Sequence, residues 1–507
     1  MLPRAATYEV LREGFHWALP ERLNMAAQVL AQPSEQVAII DLSGARREVT
    51  YGELSDMAGR LALALSARVS RGDRVGVLFS QDAWCAAAHI AIWKIGAISV
   101  PLFKLFARDA LESRIGDSGL TLVVTDAEGA EMLGGLAEAL LPYDLPEGDV
   151  PMVDTGSEEP AVLIYTSGTT GKPKGALHAH RMLTGHLPGV EMSHDFLGQD
   201  GDVIWTPADW AWIGGLFDVL MPGLALGVPV VAARLPKFTA SEAERICREG
   251  GVRNVFFPPT ALRMLKVADQ EISGLRSVAS GGEPLGAEML AWGRKAFGVS
   301  INEFYGQTEC NMSVSSCGAL FAPVGGATGK AVPGFDVAVI DEAGQVTDGE
   351  GDIAVKRGAA SMMLEYWNKP EASAEKFRGD WLVTGDRGVM EGDFIRFLGR
   401  EDDVISSGGY RIGPAEIEDC LMTHSAVATV GVVGKPDALR HEIVKAYVVL
   451  KDGAEASAEE LQTWVKTRLA SYSYPREVEF LEALPMTVTG KVIRKELKAR
   501  AAEEEKT

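Results

Sequence analysis

Short apolar segments separated by helix-length stretches constrain the fold of this chain more than any other feature. Val75-Gly76-Val77-Leu78-Phe79 reads as a buried strand, residues 83–95 as a helix, and Ile98-Ser99-Val100-Pro101-Leu102 as the next strand. Residues 120–126 follow a further helix and read as a third strand. Strands alternating with helices of this length predict a doubly wound parallel sheet. The longest apolar stretch, residues 83–103, is broken by Lys94 and Gly96, so it reads as a buried helix and strand rather than a membrane span. Residues 127–160 carry Pro142, Pro146, Pro151 and Pro160 and read as a loop-rich seam.

The alternation resumes after residue 175. Residues 225–232 and Asn254-Val255-Phe256-Phe257 read as strands, with residues 240–249 an amphipathic helix between them. Val278-Ala279-Ser280 runs into Gly281-Gly282-Glu283-Pro284, a strand-to-turn junction of the kind that lines ligand sites in open parallel sheets. From about residue 330, strands such as Val337-Ala338-Val339-Ile340 and Asp352-Ile353-Ala354-Val355 alternate with glycine turns, which predicts a small antiparallel barrel or sheet. Beyond Asp402-Asp403 the pattern becomes compact and mixed: helix at 414–422, strands at 427–433 and 443–450, helix at 457–470, and a charged helix from Lys495 fraying into a tail. About a hundred residues suffice for a small α+β domain. A chain of 507 residues exceeds one core, which agrees with this division.

Between the two parallel patterns lies Tyr165-Thr166-Ser167-Gly168-Thr169-Thr170-Gly171-Lys172-Pro173-Lys174-Gly175, preceded by the apolar strand Ala161-Val162-Leu163-Ile164. Glycines let backbone N–H groups approach a ligand, hydroxyls donate, and lysines add positive charge. That combination suits a polyphosphate. The spacing is not that of a Walker A loop, and Pro173 prevents an immediate helix. A glycine-rich surface turn is the alternative, and the density of hydroxyls and lysines favours the phosphate cradle.

Charge narrows the ligand classes. With 49 basic against 70 acidic side chains the formal net charge is -21, so the surface repels nucleic acid and anionic membranes. An anionic ligand must be held by local donors. Five scattered cysteines without C-x-x-C spacing predict reduced thiols, not disulfides or a zinc site, and a cytoplasmic setting. His178 and His180 lack a third ligand by spacing. Residues 1–20 contain Glu9 and Glu13 and no apolar core, so no signal peptide is expected.

Five motifs together resemble the adenylate-forming superfamily of acyl-CoA synthetases, luciferases and peptide-synthetase adenylation domains. Residues 165–175 resemble its phosphate loop, Tyr305-Gly306-Gln307-Thr308-Glu309 its adenine and magnesium motif, and Thr384-Gly385-Asp386 its ribose motif. Residues 399–418 resemble its hinge and thiol-site loop, and Thr489-Gly490-Lys491 its catalytic-lysine motif. Gly399-Arg400-Glu401-Asp402-Asp403-Val404-Ile405-Ser406-Ser407-Gly408-Gly409-Tyr410-Arg411-Ile412-Gly413-Pro414 is most similar to medium-chain acyl-CoA synthetases, and Asp209 before Trp210-Ala211-Trp212 resembles acyl-CoA synthetases rather than peptide-synthetase domains. The resemblance implies an α/β fold: a large N-terminal adenylation domain (1–401) with doubly wound sheets and a small β-barrel, and a small mobile C-terminal α+β domain (402–507).

It also implies roles. ATP would be held by Thr166, Ser167, Gly168, Thr169, Thr170, Gly171, Lys172 and Lys174 at its outer phosphates. Gly282, Glu283, Pro284, Glu303, Tyr305, Gly306 and Gln307 would surround the adenine. Asp386 would accept from the ribose hydroxyls, an acceptor-only task that suits a carboxylate, with Arg400 at the ribose and phosphate edge. Thr308 would donate to the α-phosphate, and Glu309 would hold Mg2+ directly or through water. Lys491 would be the catalytic cation. Losing one such contact costs about 3–4 kcal/mol by analogy with an oxyanion-hole donor. Taken alone, each of Glu309, Asp386 and Lys491 would read as an ordinary exposed, turn or surface residue.

For the second half-reaction the resemblance places coenzyme A along Gly408, Gly409 and Tyr410, with Arg411 and Arg440 near its phosphates and Asp402 as the hinge. Trp210, Trp212 and Gly306 would line the acyl pocket, where plain core packing is the alternative for the tryptophans. Acetate-specific relatives carry a tryptophan at the position matching Gly306, so glycine implies a longer acid. The implied enzyme is an AMP-forming carboxylate–CoA ligase for a medium-chain, branched or aromatic acid. Alternatives are an adenylating enzyme that loads a carrier protein, or a non-catalytic nucleotide-binding relative; ATP–pyrophosphate exchange followed by thioester detection separates the three. Pro485-Met486-Thr487-Val488-Thr489-Gly490-Lys491 also resembles the segment at which bacterial acyl-CoA synthetases are acetylated. This implies a lysine acetyltransferase and deacetylase as partners, since acetylation removes the charge that adenylation needs.

Overall fold

The computed structural model describes residues 2–166, 173–235, 237–400, 403–407, 410–437, 440–469, 473–487 and 491–503, with the backbone alone for Ser406, Tyr410, Arg411 and His441. Two large sheets dominate. In the smaller of them, Ile98–Pro101, Arg74–Leu78, Leu122–Thr125 and Glu138–Leu140 are parallel neighbours. Strand Pro160–Thr166 joins parallel beside Ile98–Pro101, then Lys174–Ala179 and Glu365–Tyr366 continue antiparallel to the edge. Pro160–Thr166 and Lys174–Ala179, which flank the hydroxyl- and lysine-rich segment, thus pair antiparallel; Ser167 to Lys172 lie outside the described residues.

The other large sheet begins as a parallel run, Val37–Asp41, Val230–Ala232, Ile204–Trp205, Asn254–Phe256, Ser277–Gly281 and Ile301–Gln307. It then turns antiparallel through Asn311–Ser315, Gly329–Ala331, Phe394–Arg400, Trp381–Glu391, Gly351–Lys356 and Val337–Ile340. The glycine-punctuated strands beyond residue 330 therefore extend the big sheet. Of the barrel and the sheet predicted there, the sheet forms, and the strand path among the described residues does not close into a barrel.

Helices Tyr51–Ser66 and Ala83–Lys94 sit in a core shared by both sheets. Leu54, Leu61, Ile90 and Trp93 pack in one cluster with Val75 and Val162 of one sheet and Ile39 and Val230 of the other. Thr50 and Glu53 form a capping box that starts the first helix, and Asp82 caps the second. Two segments depart from the sequence reading. Residues 225–232 split into the end of helix Met221–Leu226 and strand Val230–Ala232, because Gly227 adopts φ +73° and terminates the helix in a left-handed cap. The supposed loop after residue 127 holds helix Ala127–Leu133, capped by Asp126, and strand Glu138–Leu140.

The C-terminal unit has its own sheet, ordered Tyr410–Ile412, Ile405–Ser407, His441–Leu450, Val427–Asp437, with Glu477–Phe480 parallel to His441–Leu450. Helices Pro414–Met422 and Ala458–Lys466 cover a core of Ile417, Leu421, Val432, Val448 and Leu461. Helix Arg494–Glu503 packs Leu497 and Ala501 on Val433 and Tyr447. All five cysteines are free and buried. No described helix is long and apolar enough to cross a membrane.

Candidate active site

The parallel strands Ser277–Gly281 and Ile301–Gln307 end side by side, and at their carboxyl ends opens a cleft of about 2320 Å³. Its walls come from both domains: Gly282, Glu283, Tyr305, Thr308, Glu309 and Asp386 from the large one, Asp419 and Lys491 from the small one.

A hydrogen-bonded knot holds Asp386. The Tyr305 hydroxyl donates to Asp386 Oδ2 at 2.6 Å and Gln307 Nε2 donates to the same oxygen at 2.7 Å. Arg400 Nε stands 3.7 Å from Oδ1, as the pairing of Asp386 with Arg400 across adjacent strands requires. Thr384 anchors the turn: its hydroxyl donates to the Ile353 carbonyl at 2.6 Å and accepts from the Asp386 N–H at 3.2 Å, while Gly385 supplies φ +79°. Burial raises the Asp386 carboxyl above its ordinary range, with Tyr305, Arg400 and Gln307 opposing. Burial and the neighbouring Asp386 hold the Tyr305 phenol protonated. Lys376, which no motif marked, steadies the knot by donating to Gln307 Oε1 at 3.3 Å and the Thr384 carbonyl at 3.2 Å.

Glu309 is buried, and Oε1 accepts from the Tyr366 hydroxyl at 2.5 Å. Tyr366 belongs to the edge strand beside Lys174–Ala179, and Lys174 Nζ lies 5.2 Å from its ring centroid. The loop's exit lysine, Tyr366 and Glu309 thus form one array. Asp117 clamps the base of the hairpin, accepting from Tyr165 at 2.8 Å and pairing with Lys369 at 2.9 Å. No group of three or more His, Cys, Asp or Glu side chains suited to a metal exists among the described residues. Glu309 alone fits magnesium, which takes one or two carboxylates and fills its shell with water and phosphate oxygens.

Lys491 reaches across from the small domain. Its Nζ is 3.6 Å from the point that a Cβ on Gly282 would occupy. Its backbone is held in a turn by the Thr487 hydroxyl at 3.0 Å and by the Thr487 N–H at 2.7 Å. Behind it, Arg494 donates to Glu418 at 2.5 Å, and Lys498 pairs with Asp403 at 2.9 Å. Asp419 of helix Pro414–Met422 presses on Gly286, where a Cβ would lie 2.9 Å from the carboxyl carbon. Burial and, among other charges, Glu418 raise Asp419 to about 7; burial and Asp419 raise Glu303 to about 8.

The remaining predicted residues divide. Thr166 and Lys174 flank the cleft, while Ser167, Gly168, Thr169, Thr170, Gly171 and Lys172 lie outside the described residues, as do Asp402, Gly408 and Gly409. Tyr410 and Arg411 lie in the strand Tyr410–Ile412. Arg440 is exposed, its N–H donating to Asp437 at 2.8 Å, and it does not line the cleft. Trp212 lines the cleft against Phe103 and Phe106, whereas Trp210 is buried in the inter-sheet core. Gly306 lines the cleft, but a Cβ there would stand 2.1 Å from the Asn311 carbonyl oxygen, so a bulge in the strand pair requires glycine at this position.

Two family models match: AMP-binding enzyme over residues 25–367 and AMP-binding enzyme C-terminal domain over residues 416–491. The chain is 32% identical to acetyl-coenzyme A synthetase of Bacillus subtilis (strain 168), over 97% of this chain and 94% of that one. It is 33% identical to the mitochondrial acyl-coenzyme A synthetase ACSM4 of Homo sapiens, over 95% of this chain and 91% of that one. The crystal structure of Brucella canis acyl-CoA synthetase superposes with a TM-score of 0.74 at 32% identity, covering 99% of this chain and 100% of that one.

Proposed function

The chain belongs to the AMP-binding enzyme family, and from that membership we propose how its cleft works and what it takes. It is an ATP-dependent, AMP-forming acyl-CoA synthetase, an acid–thiol ligase that proceeds through an acyl-adenylate. The acid carboxylate attacks the α-phosphorus of ATP, pyrophosphate leaves, and the thiol of coenzyme A then displaces AMP. The observation that carries the assignment of roles is the approach of Lys491 to Gly282, in the cleft that Glu309 and Asp386 also line.

In this reading Asp386 accepts from the ribose, with Tyr305 and Gln307 fixing its orientation. Thr308 donates to the α-phosphate, and Lys491 offsets repulsion between two anions and the charge that builds as they join. The hairpin loop from Thr166 to Lys174 grips the phosphates that depart. Glu309, oriented by Tyr366, would hold magnesium, which neutralises phosphate charge when bound. The domain boundary falls near residues 401–402, and the small domain rotates there between half-reactions so that Tyr410 and its neighbours guide the thiol. Gly306 leaves the cleft open for an acid longer than acetate, medium-chain, branched or aromatic. Lys491 is exposed, so an acetyltransferase could reach it in a cytoplasmic setting.

ATP–pyrophosphate exchange with a panel of acids, followed by thioester detection, tests the proposal. Acid-dependent exchange and thioester formation are expected. Exchange with no acid, or transfer only to a carrier protein, would overturn it.

A further inference from the structure

Past Gly306 the cleft reaches a buried carboxyl group that the adenylation chemistry does not use. Asp218 lies at the centre of the π-helical turn Leu216–Leu220, a rare geometry that recurs at functional sites. It lines the cleft with Gly214, Phe256, Asn311 and Met312, yet only 3% of it is exposed. Asn311 Nδ2 donates to Asp218 Oδ1 at 2.7 Å. Asn311 also touches His186 Nδ1, which faces the Phe217 carbonyl at 3.1 Å. The second oxygen, Oδ2, has no hydrogen bond among the described residues, and it lies 3.8 Å from where a Cβ on Gly214 would project.

No lysine or arginine among the described residues pairs with Asp218. The nearest basic group is His186, 3.8 Å away, and burial lowers that imidazole to about 3, so it carries no charge near neutrality. Burial raises Asp218 itself to about 8, against the opposing Asn311 bond, and a hydroxyl or amino donor arriving at Oδ2 would draw it back toward the carboxylate. Asp209 provides the contrast: it lines the same cleft, but Lys104 and Arg234 both favour its charge. Buried polar side-chain atoms are for the most part hydrogen-bonded. Here one oxygen of Asp218 is bonded and the other is left at the wall of an aromatic and aliphatic cavity. A hydrocarbon chain packed there would leave Oδ2 dry and unbonded, an unfavourable outcome for a buried polar atom. The Asn311 backbone abuts Gly306, so Asp218 lies one layer beyond that glycine.

We infer that the acid this enzyme activates carries a hydrogen-bond donor, a hydroxyl or amino group, at the end away from its carboxylate, and that Asp218 Oδ2 receives it. The inference rests on the ligase reading and narrows its acid. It makes Asp218 a specificity-determining residue.

Matched pairs test it in the full-length enzyme: hexanoate against 6-hydroxyhexanoate and 6-aminohexanoate, and benzoate against its 3- and 4-hydroxy and amino derivatives. The readout is kcat/KM for acid-dependent ATP–pyrophosphate exchange. At least one donor-bearing acid should exceed its unsubstituted partner by ~10-fold or more, because a site built to bond a polar group discriminates against analogues lacking it. The hydroxyl and amino arms tell which donor is used. Asp218→Leu should reverse the preference, and the near-isosteric Asp218→Asn should remove it for amino-bearing acids while retaining it for hydroxy acids. Wild-type enzyme that uses unsubstituted acids as well as or better than every substituted partner overturns the inference, with no variant required. So does Asp218→Leu lowering both members of a pair by one factor. Exchange with no acid at all would instead remove the ligase reading on which the inference stands.

Discussion

The Tyr366 hydroxyl donates to Glu309 Oε1 at 2.5 Å, tying an edge strand to the motif that follows Ile301–Gln307. A carboxylate oriented in this way presents its other oxygen in a fixed direction, and loss of such outer-shell support weakens metal binding ~10- to 100-fold. Tyr366→Phe should therefore raise the magnesium concentration needed for half-maximal ATP–pyrophosphate exchange by about that factor. Magnesium titration of the variant measures this, with circular dichroism confirming the fold; an unchanged midpoint would remove Tyr366 from the site.

Lys491 is exposed and contributes nothing to a core, so its loss should leave stability alone. Lys491→Ala should slow adenylate formation ~10²- to 10³-fold, the scale of one lost transition-state contact. Thioester formation from supplied acyl-adenylate should persist. Single-turnover assays of the two halves decide, and equal loss in both would contradict the assigned role.

Asp386 accepts two protein hydrogen bonds on one oxygen and leaves Oδ1 beside Arg400, where the proposed ribose contact would fall. Asp386→Asn turns part of an acceptor into a donor. An increase of ~10- to 100-fold in KM for ATP is expected, on the scale of about 1.5–3 kcal/mol for a charged hydrogen bond, with little change in KM for the acid. Steady-state kinetics with each substrate varied in turn would show the split.

Two carboxyl groups meet at the domain seam. Asp419, ordinarily near 3.8, is raised to about 7, and Glu303, ordinarily near 4.5, to about 8, burial being the main cause for both. Glu416, Glu418 and Glu288 add negative charge around Asp419, and Arg263 opposes them. In the proposed swing of the small domain, the closed seam would therefore bind more protons than the opened one. Its stabilisation is greatest below the ordinary carboxyl range and is lost as pH rises through about 7 to 8. Energy transfer between dyes on the two domains should report closure at pH 6 that weakens by pH 8.5, and Asp419→Asn should flatten the profile.

Gly306→Ala should act on the strand pair and not merely on the proposed acyl pocket. The added methyl would meet the Asn311 carbonyl at 2.1 Å, so the bulged strand pair must shift, at a cost of about 1–3 kcal/mol for overpacking. A lower thermal midpoint together with reduced exchange for every acid is expected. A variant of unchanged stability that merely prefers shorter acids would show that the backbone yields easily.

Much of this was readable in the chain because the decisive signals are local. Val75 to Phe79 and Ile98 to Leu102 announced strands by apolar content alone, and Tyr305 to Glu309 lay in one continuous motif. What escaped depends on distant partners. Tyr366 reaches Glu309 through a two-residue strand too short to show any periodicity. Trp210 and Trp212 look alike in sequence, and only the path of the chain sends one to the core and the other to the cleft. Asp218 stood within an apolar run, where a carboxylate without a charged neighbour in sequence gave no hint of Asn311 or His186.

The five cysteines carry one last consequence. All are buried, and burial lifts Cys247, Cys310 and Cys317 to about 12, far from any thiolate population near neutrality. A protein that couples its acid to a sulfhydryl thus keeps these three sulfurs of its own as buried, protonated thiols. Cys247, Cys310 and Cys317 should therefore stay silent toward an aromatic disulfide dye in the folded protein and be counted only after denaturation.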